Sequence, residues 1–235
     1  MVNKLPHNWV NCDLGEVLTL RNGYAFKSNN YKSEGIPVIR ISDIQQGQVT
    51  AMKATCVDEN SELDRFIIDK GDVLVAMSGA TTGKYGVYSS DEIAYQNQRV
   101  GNFKPHSESL LPKSFIYYLL GGLKKEIEDQ AYGGAQPNIS SKMIESLSVS
   151  IPPLPEQQRI VAKLDDLFAH LEEVKTRLAK VPELLKQFRQ TVLNKAVSGE
   201  LVGVIEMKEL GDFNISIKTG PFGSALHKSD YILDG

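Results

Sequence analysis

The sequence predicts an α+β domain of mixed, mostly antiparallel strands with short helices, followed by a long coiled-coil spacer helix. Three observations predict it. Between Leu14 and Val100, short β-branched and aromatic runs alternate with Gly, Asn, Ser and Asp punctuation, without a regular βαβ rhythm. From Ile160 to Val192, apolar residues recur at alternating spacings of 4 and 3 without a gap. Between these two regions stands a proline-rich exit, IPPLPEQQ, at 151–158.

In chain order, strands are expected over residues 16–20, 36–41, 72–77, 84–88 and 98–103. Helices are expected over 112–120 and 123–130, with Pro112 suited to a first helical turn and Gly121-Gly122 marking a break between them. The polar, glycine-rich loop GGAQPNIS follows Tyr132, then a short helix near 141–145 and a strand over 147–151. The domain therefore occupies residues 1–155.

The next segment, 156–200, carries the seam. Ile160, Leu164, Leu167, Leu171, Val174, Leu178, Val181, Leu185, Phe188 and Val192 form an unbroken a/d series suited to helix pairing. At about 1.5 Å per residue, this stretch spans roughly 48 Å. Its outer face carries mixed charges, among them Glu172, Glu173, Lys175, Arg177, Lys186 and Arg189. Pro182 lies inside the series and predicts a kink or the start of a second helix, although the heptad register continues through it. A seam of this length requires a partner helix, because a helix lying on its own domain usually runs only about three or four turns.

Beyond the helix the chain starts again. Leu14-Gly15-Glu16 returns as Leu210-Gly211-Asp212, and Arg21-Asn22-Gly23-Tyr24 is echoed by Lys218-Thr219-Gly220-Pro221-Phe222. Residues 201–235 therefore read as the beginning of a second copy, halting about 25 residues in, too soon for an independent core.

Composition narrows the function. The 235 residues carry 26 Lys+Arg against 29 Asp+Glu, a net charge of −3, and no segment is a polycation. Any nucleic-acid affinity must come from a few placed side chains or from a basic partner. No apolar run reaches the length of a membrane span and the polar N-terminus is no signal peptide, so a cytoplasmic location is expected. Cys12 and Cys56 give neither a disulfide framework nor a metal motif, and the four histidines are scattered. The SGATTGKY run at 78–85 imitates a phosphate-binding loop but is one residue short between its glycines, with Tyr85 where the hydroxyl ligand belongs. No nucleophile elbow, Asn-Pro-Pro-aromatic methyltransferase motif or dinucleotide fingerprint occurs, so no catalytic residue is assigned.

What remains is a group of polar-aromatic loops suited to base edges and phosphates. Tyr24, Phe26, Lys27 and Ser28 lie in the first turn; Arg40 and Ser42 close the PVIRISDI strand. Ser78, Thr81, Thr82 and Lys84 offer hydroxyls and an amine to a phosphate backbone. Gln96, Asn97, Gln98 and Arg99 place three amides and a guanidinium in a row, and Gln136 and Asn138 sit in the glycine-rich loop. In the major groove amides read adenine and arginine reads guanine.

The runs LPEQQRIVAKLDDLF at 154–168 and LLKQFRQTVLNKAVSGELV at 184–202 resemble the DNA-sequence specificity subunit of type I restriction–modification enzymes. The two runs, with Pro182 between them, are similar to that family's central spacer. The Trp9 to Glu16 W-x-x-x-x-LGE stretch, NGYAFKS, PVIRISDI and the GGAQPNIS-to-IPPLPEQQ exit resemble its target recognition domains. The resemblance implies a non-catalytic subunit that reads double-stranded DNA, each of two recognition domains taking one half of a split target. It implies docking to modification (methyltransferase) subunits and a restriction subunit. No cofactor is expected on this chain; S-adenosylmethionine, ATP and Mg are expected on those partners. With one recognition domain, one spacer and the start of a second domain, the chain is expected to form a homodimer through the spacer helix. Two other readings stay open: the recognition part of a fused restriction–methyltransferase, and a coiled-coil adaptor that never touches DNA.

Overall fold

The Val73–Ala76 strand is buried along its whole length and lies inside a six-stranded sheet. The spatial order is Leu18–Asn22, Val100–Pro105, Val73–Ala76, Tyr85–Tyr88, Gly47–Val49 and Ile44–Gln45, all pairs antiparallel except Gly47–Val49 with Tyr85–Tyr88. A four-stranded sheet holds Cys56–Val57, Ile36–Ile39, Ala94–Gln96 and Ile67–Ile68, with its central pair parallel. Val10–Asp13 pairs antiparallel with Ser148–Ile151, joining the two ends of the domain. This computed structural model describes residues 6, 8–45, 47–51, 55–131, 137–201, 209 and 212. The expected second copy at 201–235 lies, apart from three residues, outside the described ones.

Helix α1, Lys113–Ala131, explains how the larger core closes. Ile116, Leu120, Leu123 and Ile127 recur at helical spacing and are buried among Leu18, Leu20, Val73, Val75 and Phe103. The expected break at Gly121-Gly122 does not occur. Both glycines are on the exposed face, and each costs about 1 kcal/mol relative to alanine, which the continuous buried stripe offsets. Helix α2, Ser141–Glu145, is capped by Ser140, whose hydroxyl accepts from Met143 N–H at 3.3 Å.

Three strand expectations also shift, that over 36–41 ending at Ile39 because Ile41–Asp43 forms a 3₁₀ turn. The strand expected from residue 16 starts at Leu18 instead, because Leu14–Glu16 forms a 3₁₀ turn in which Glu16 Oε1 accepts the Asp13 N–H at 2.9 Å. The last long strand starts at Val100, not residue 98. Asn97 turns the chain there, its side chain accepting from Arg99 N–H and its carbonyl from Val100 N–H.

Beneath the six-stranded sheet lies a buried charge network. Asp72, with 0% exposure, is paired with Lys104 at 2.5 Å and Lys113 at 2.9 Å. It also accepts from the Asn102 amide at 2.8 Å and from Asp69 N–H at 3.1 Å. Burial pushes the Asp72 carboxyl up, but the hydrogen bonds from Lys104, Asn102 and Lys113 prevail and hold it below its ordinary value.

The chain divides into two compact units, Met1–Leu171 and Glu172–Gly235. Helix α3, Leu154–Val197, contributes to both. It runs through Pro182, and no second helix begins there; the missing N–H removes one main-chain bond without ending the helix. In the first unit, α3 is rooted in the domain. Gln157, 1% exposed, donates from Nε2 to Leu110 O and Pro152 O, both at 2.9 Å. Ile160 and Val161 pack against the larger core. The Tyr118 hydroxyl donates to Asp165 and its ring stacks on Phe168, centroids 6.0 Å apart with planes 3° from parallel. Burial and that hydrogen bond push the Tyr118 hydroxyl up to about 12.

In the second unit, Val174, Leu178, Val181, Leu185, Phe188 and Val192 are all exposed. Lys175 pairs with Glu172 and Arg177 with Glu173, each at 2.6 Å on the helix surface.

Candidate nucleic-acid interface

Main-chain hydrogen bonds bring the candidate loops together. Tyr24 N–H donates to Gln96 O and Gln98 N–H to Tyr24 O, each at 2.8 Å, seating the first turn on the Gln-Asn-Gln-Arg turn. Met77 N–H donates to Arg99 O at 3.0 Å, and Ile139 N–H to Met77 O at 2.9 Å. Gly79 N–H closes the array on Pro137 O at 3.0 Å. Gly23 permits the closest approach: a Cβ there would stand 2.2 Å from Asn97 O and 2.3 Å from Gln96 O.

The result is an open groove of about 1080 Å³ in which Ser78, Gln98, Arg99 and Asn138 share one wall system. Asn22, Ser140, Ser141, Lys142 and Glu145 line it too. Sequence reasoning missed these five. Asn22 lies in the quoted Arg-Asn-Gly-Tyr turn, but 140–145 reads only as a short helix. The link is non-local, the Ser141 hydroxyl donating to Asn22 Oδ1 at 2.8 Å. Among the described residues, neither Arg99 nor Lys142 has an ion-pair partner, so the groove offers two cations for phosphates.

The other candidates are divided. Tyr24 and Phe26 line a second cleft of about 630 Å³ with Lys32, Arg65, Asp58, Glu59 and Glu62, where three carboxylates outnumber two cations and suit phosphate poorly. Tyr24 is 41% exposed, whereas Phe26 packs against the smaller core of Val38, Phe66 and Tyr95. Lys27 and Ser28 are exposed beside the Ser28–Asn30 turn and line neither cleft. Ser42, Thr81 and Lys84 line a third cleft of about 470 Å³ with Tyr85, Tyr117 and Lys124. Arg40 is half-buried, its N–H donating to Asp43 Oδ2 at 2.8 Å and its guanidinium 4.0 Å from that carboxylate.

Two candidates are corrected. Gln96 is 0% exposed and spends its amide on Arg21 O at 2.6 Å and Val100 O at 2.7 Å. Thr82 is buried, its hydroxyl donating to Gly79 O at 2.6 Å and Pro137 O at 3.2 Å. Both are struts that hold the loops in place, with no face left for a base. Asn97 is half-buried and its side chain serves the turn. Gln136 lies outside the described residues.

Among the described residues, no group of three or more His, Cys, Asp or Glu could hold a metal ion. No helix among them is long and apolar enough to cross a membrane.

Comparison with known proteins bears on this geometry. The type I restriction modification DNA specificity domain matches residues 6–183. The type I restriction enzyme EcoBI specificity subunit of Escherichia coli is 32% identical over 196 residues, covering 83% of this chain and 40% of that protein. The EcoKI specificity subunit of Escherichia coli K12 is 30% identical over 207 residues, covering 84% and 44%. The chain thus spans less than half the length of these relatives. Among solved structures, the HsdS subunit from Thermoanaerobacter tengcongensis shares the fold, with a TM-score of 0.65 at 24% identity over 83% of this chain and 46% of that one. A chain from a study of complex assembly and conformational transition in the type I R-M system gives 0.66 at 24% identity, over 83% and 47%.

Proposed function

The chain belongs to the type I restriction modification DNA specificity family, and on that premise we propose that it is a non-catalytic subunit reading one half of a bipartite double-stranded DNA target. The observation that carries this reading is the groove where Ser78, Gln98 and Asn138 meet beside two cations, Arg99 and Lys142, that have no ion-pair partner among the described residues. Amides on a rigid main-chain frame suit base edges, and Arg99 and Lys142 suit the flanking phosphates. With a net charge of −3, most phosphate affinity comes from partners, the modification and restriction subunits. Those partners carry the S-adenosylmethionine, ATP and Mg chemistry.

The test uses the complex of this chain with modification subunits, titrated with duplexes of varied sequence and salt. Gln98→Ala and Asn138→Ala are expected to weaken discrimination at single base positions by about 1–3 kcal/mol each. Arg99→Ala is expected to weaken binding on all sequences and reduce the salt slope by about one. If all three variants keep the parent's target and salt dependence, the groove is not the reading surface.

The exposed seam supports a homodimer. Antiparallel pairing of two α3 helices brings Leu164 opposite Phe188, Leu167 opposite Leu185, Leu171 opposite Val181 and Val174 opposite Leu178. Ile160, opposite Val192 in this register, is partly engaged with its own domain core. Near the dyad, Lys175 of one copy lies level with Arg177 of the other, but Glu172 and Glu173 on the same helix neutralise them. Two copies would then read an interrupted palindrome. Light scattering at micromolar concentration should show a dimer, converted to a monomer by Leu178→Glu; a parent chain that stays monomeric would refute the pairing.

A further inference from the structure

We propose that Glu145 is a specificity-determining residue that selects an amino base, adenine or cytosine, over a keto base at one target position. This rests on the groove being the DNA-reading surface. Glu145 ends α2 and lines the same cavity as Gln98, Arg99 and Asn138.

One of its oxygens is already used. Leu18–Asn22 is an edge strand of the six-stranded sheet, and Leu20 N–H donates to Glu145 Oε1 at 2.8 Å. That bond holds the carboxylate where Glu145 lines the groove, and its Cβ packs closely over Gly15, where an added Cβ would stand 3.1 Å away. Among the described residues no ion pair or further hydrogen bond involves the second oxygen, Oε2. Neither Lys142, one turn earlier, nor Arg99 in the same groove lies within ion-pair distance. An immobilised acceptor facing a groove is the complement of an exocyclic amine. In the major groove adenine and cytosine present such amines, whereas guanine O6 and thymine O4 are acceptors that a carboxylate repels. Discrimination here comes as much from rejecting the wrong base as from binding the right one. Arg99 and Lys142 offset the repulsion that a carboxylate would otherwise exert on the backbone.

The competing role is structural, with Glu145 serving only to cap Leu20 N–H. Glu145→Gln separates the two, because its amide oxygen keeps the cap while the second position becomes a donor. Binding of the parent and variant complexes is measured on duplexes substituted singly at each target position, with melting temperatures alongside. The parent is expected to prefer amino bases at one position by about tenfold or more. In Glu145→Gln that preference should fall to within about threefold, with salt slope and melting temperature retained. Glu145→Ala, which lacks both groups, should lose the same preference even where it is less stable. Unchanged preferences at every position in a variant that still binds would overturn the proposal and leave the groove reading intact. A parent complex with no sequence preference would overturn both.

Discussion

Replacing Asp72 by asparagine is expected to cost the domain about 3 kcal/mol, measured by denaturant unfolding at neutral pH. The figure is the lower end for removing one partner of a buried ion pair, because Lys104 retains Asp69 at 3.7 Å and Lys113 retains Glu108 at 3.6 Å. The variant also identifies the pH window. A carboxyl held below its ordinary value contributes stability that is fully present above the unfolded value of about 3.9, and loses it as pH falls through the folded value. The gap between parent and variant should therefore stay constant from pH 7 to 5 and narrow below about pH 4. A gap that is already shrinking at pH 6 would mean that the network owes its strength to something other than this carboxylate.

Gly23→Ala is expected to remove both stability and sequence discrimination. The added methyl would meet two carbonyl oxygens at 2.2 and 2.3 Å, and both belong to the main chain, so no side-chain rotation relieves the clash. The joint between the first turn and the Gln-Asn-Gln-Arg turn must open, at the expense of the Tyr24–Gln96 and Gln98–Tyr24 bonds. Overpacking and two lost hydrogen bonds together come to about 2–4 kcal/mol. Hydrogen exchange at the Gln98 amide should accelerate, and the base position read by Gln98 should lose its preference. A stable variant with a protected Gln98 amide would show that the joint tolerates the methyl group.

The architecture was legible in the sequence where periodicity is strong. The long helix through Ile160 to Val192 and the mixed strand-and-helix domain both follow from the pattern of residues. Local signals misled where burial decides. Gly121-Gly122 reads as a break, yet Ile116, Leu120, Leu123 and Ile127 hold the helix through it. Gln96 and Gln98 are chemically identical and two residues apart. The first closes a buried strand and the second is exposed beyond it, a difference that only packing creates. Asn22, Lys142 and Glu145 escaped because their groove is assembled from segments roughly 120 residues apart. Nothing in either segment alone announces the other.

The groove's walls are joined by amide-to-carbonyl bonds between Tyr24, Met77, Gly79, Gln98, Arg99 and Ile139 and their partners. Apart from the glycines, such joints do not depend on which side chain each residue bears. If the groove reads DNA as proposed, its reading side chains are separable from their scaffold, like movable type in a fixed frame. On the proposed reading, exchanging Gln98 or Asn138 would change the message while leaving the press intact.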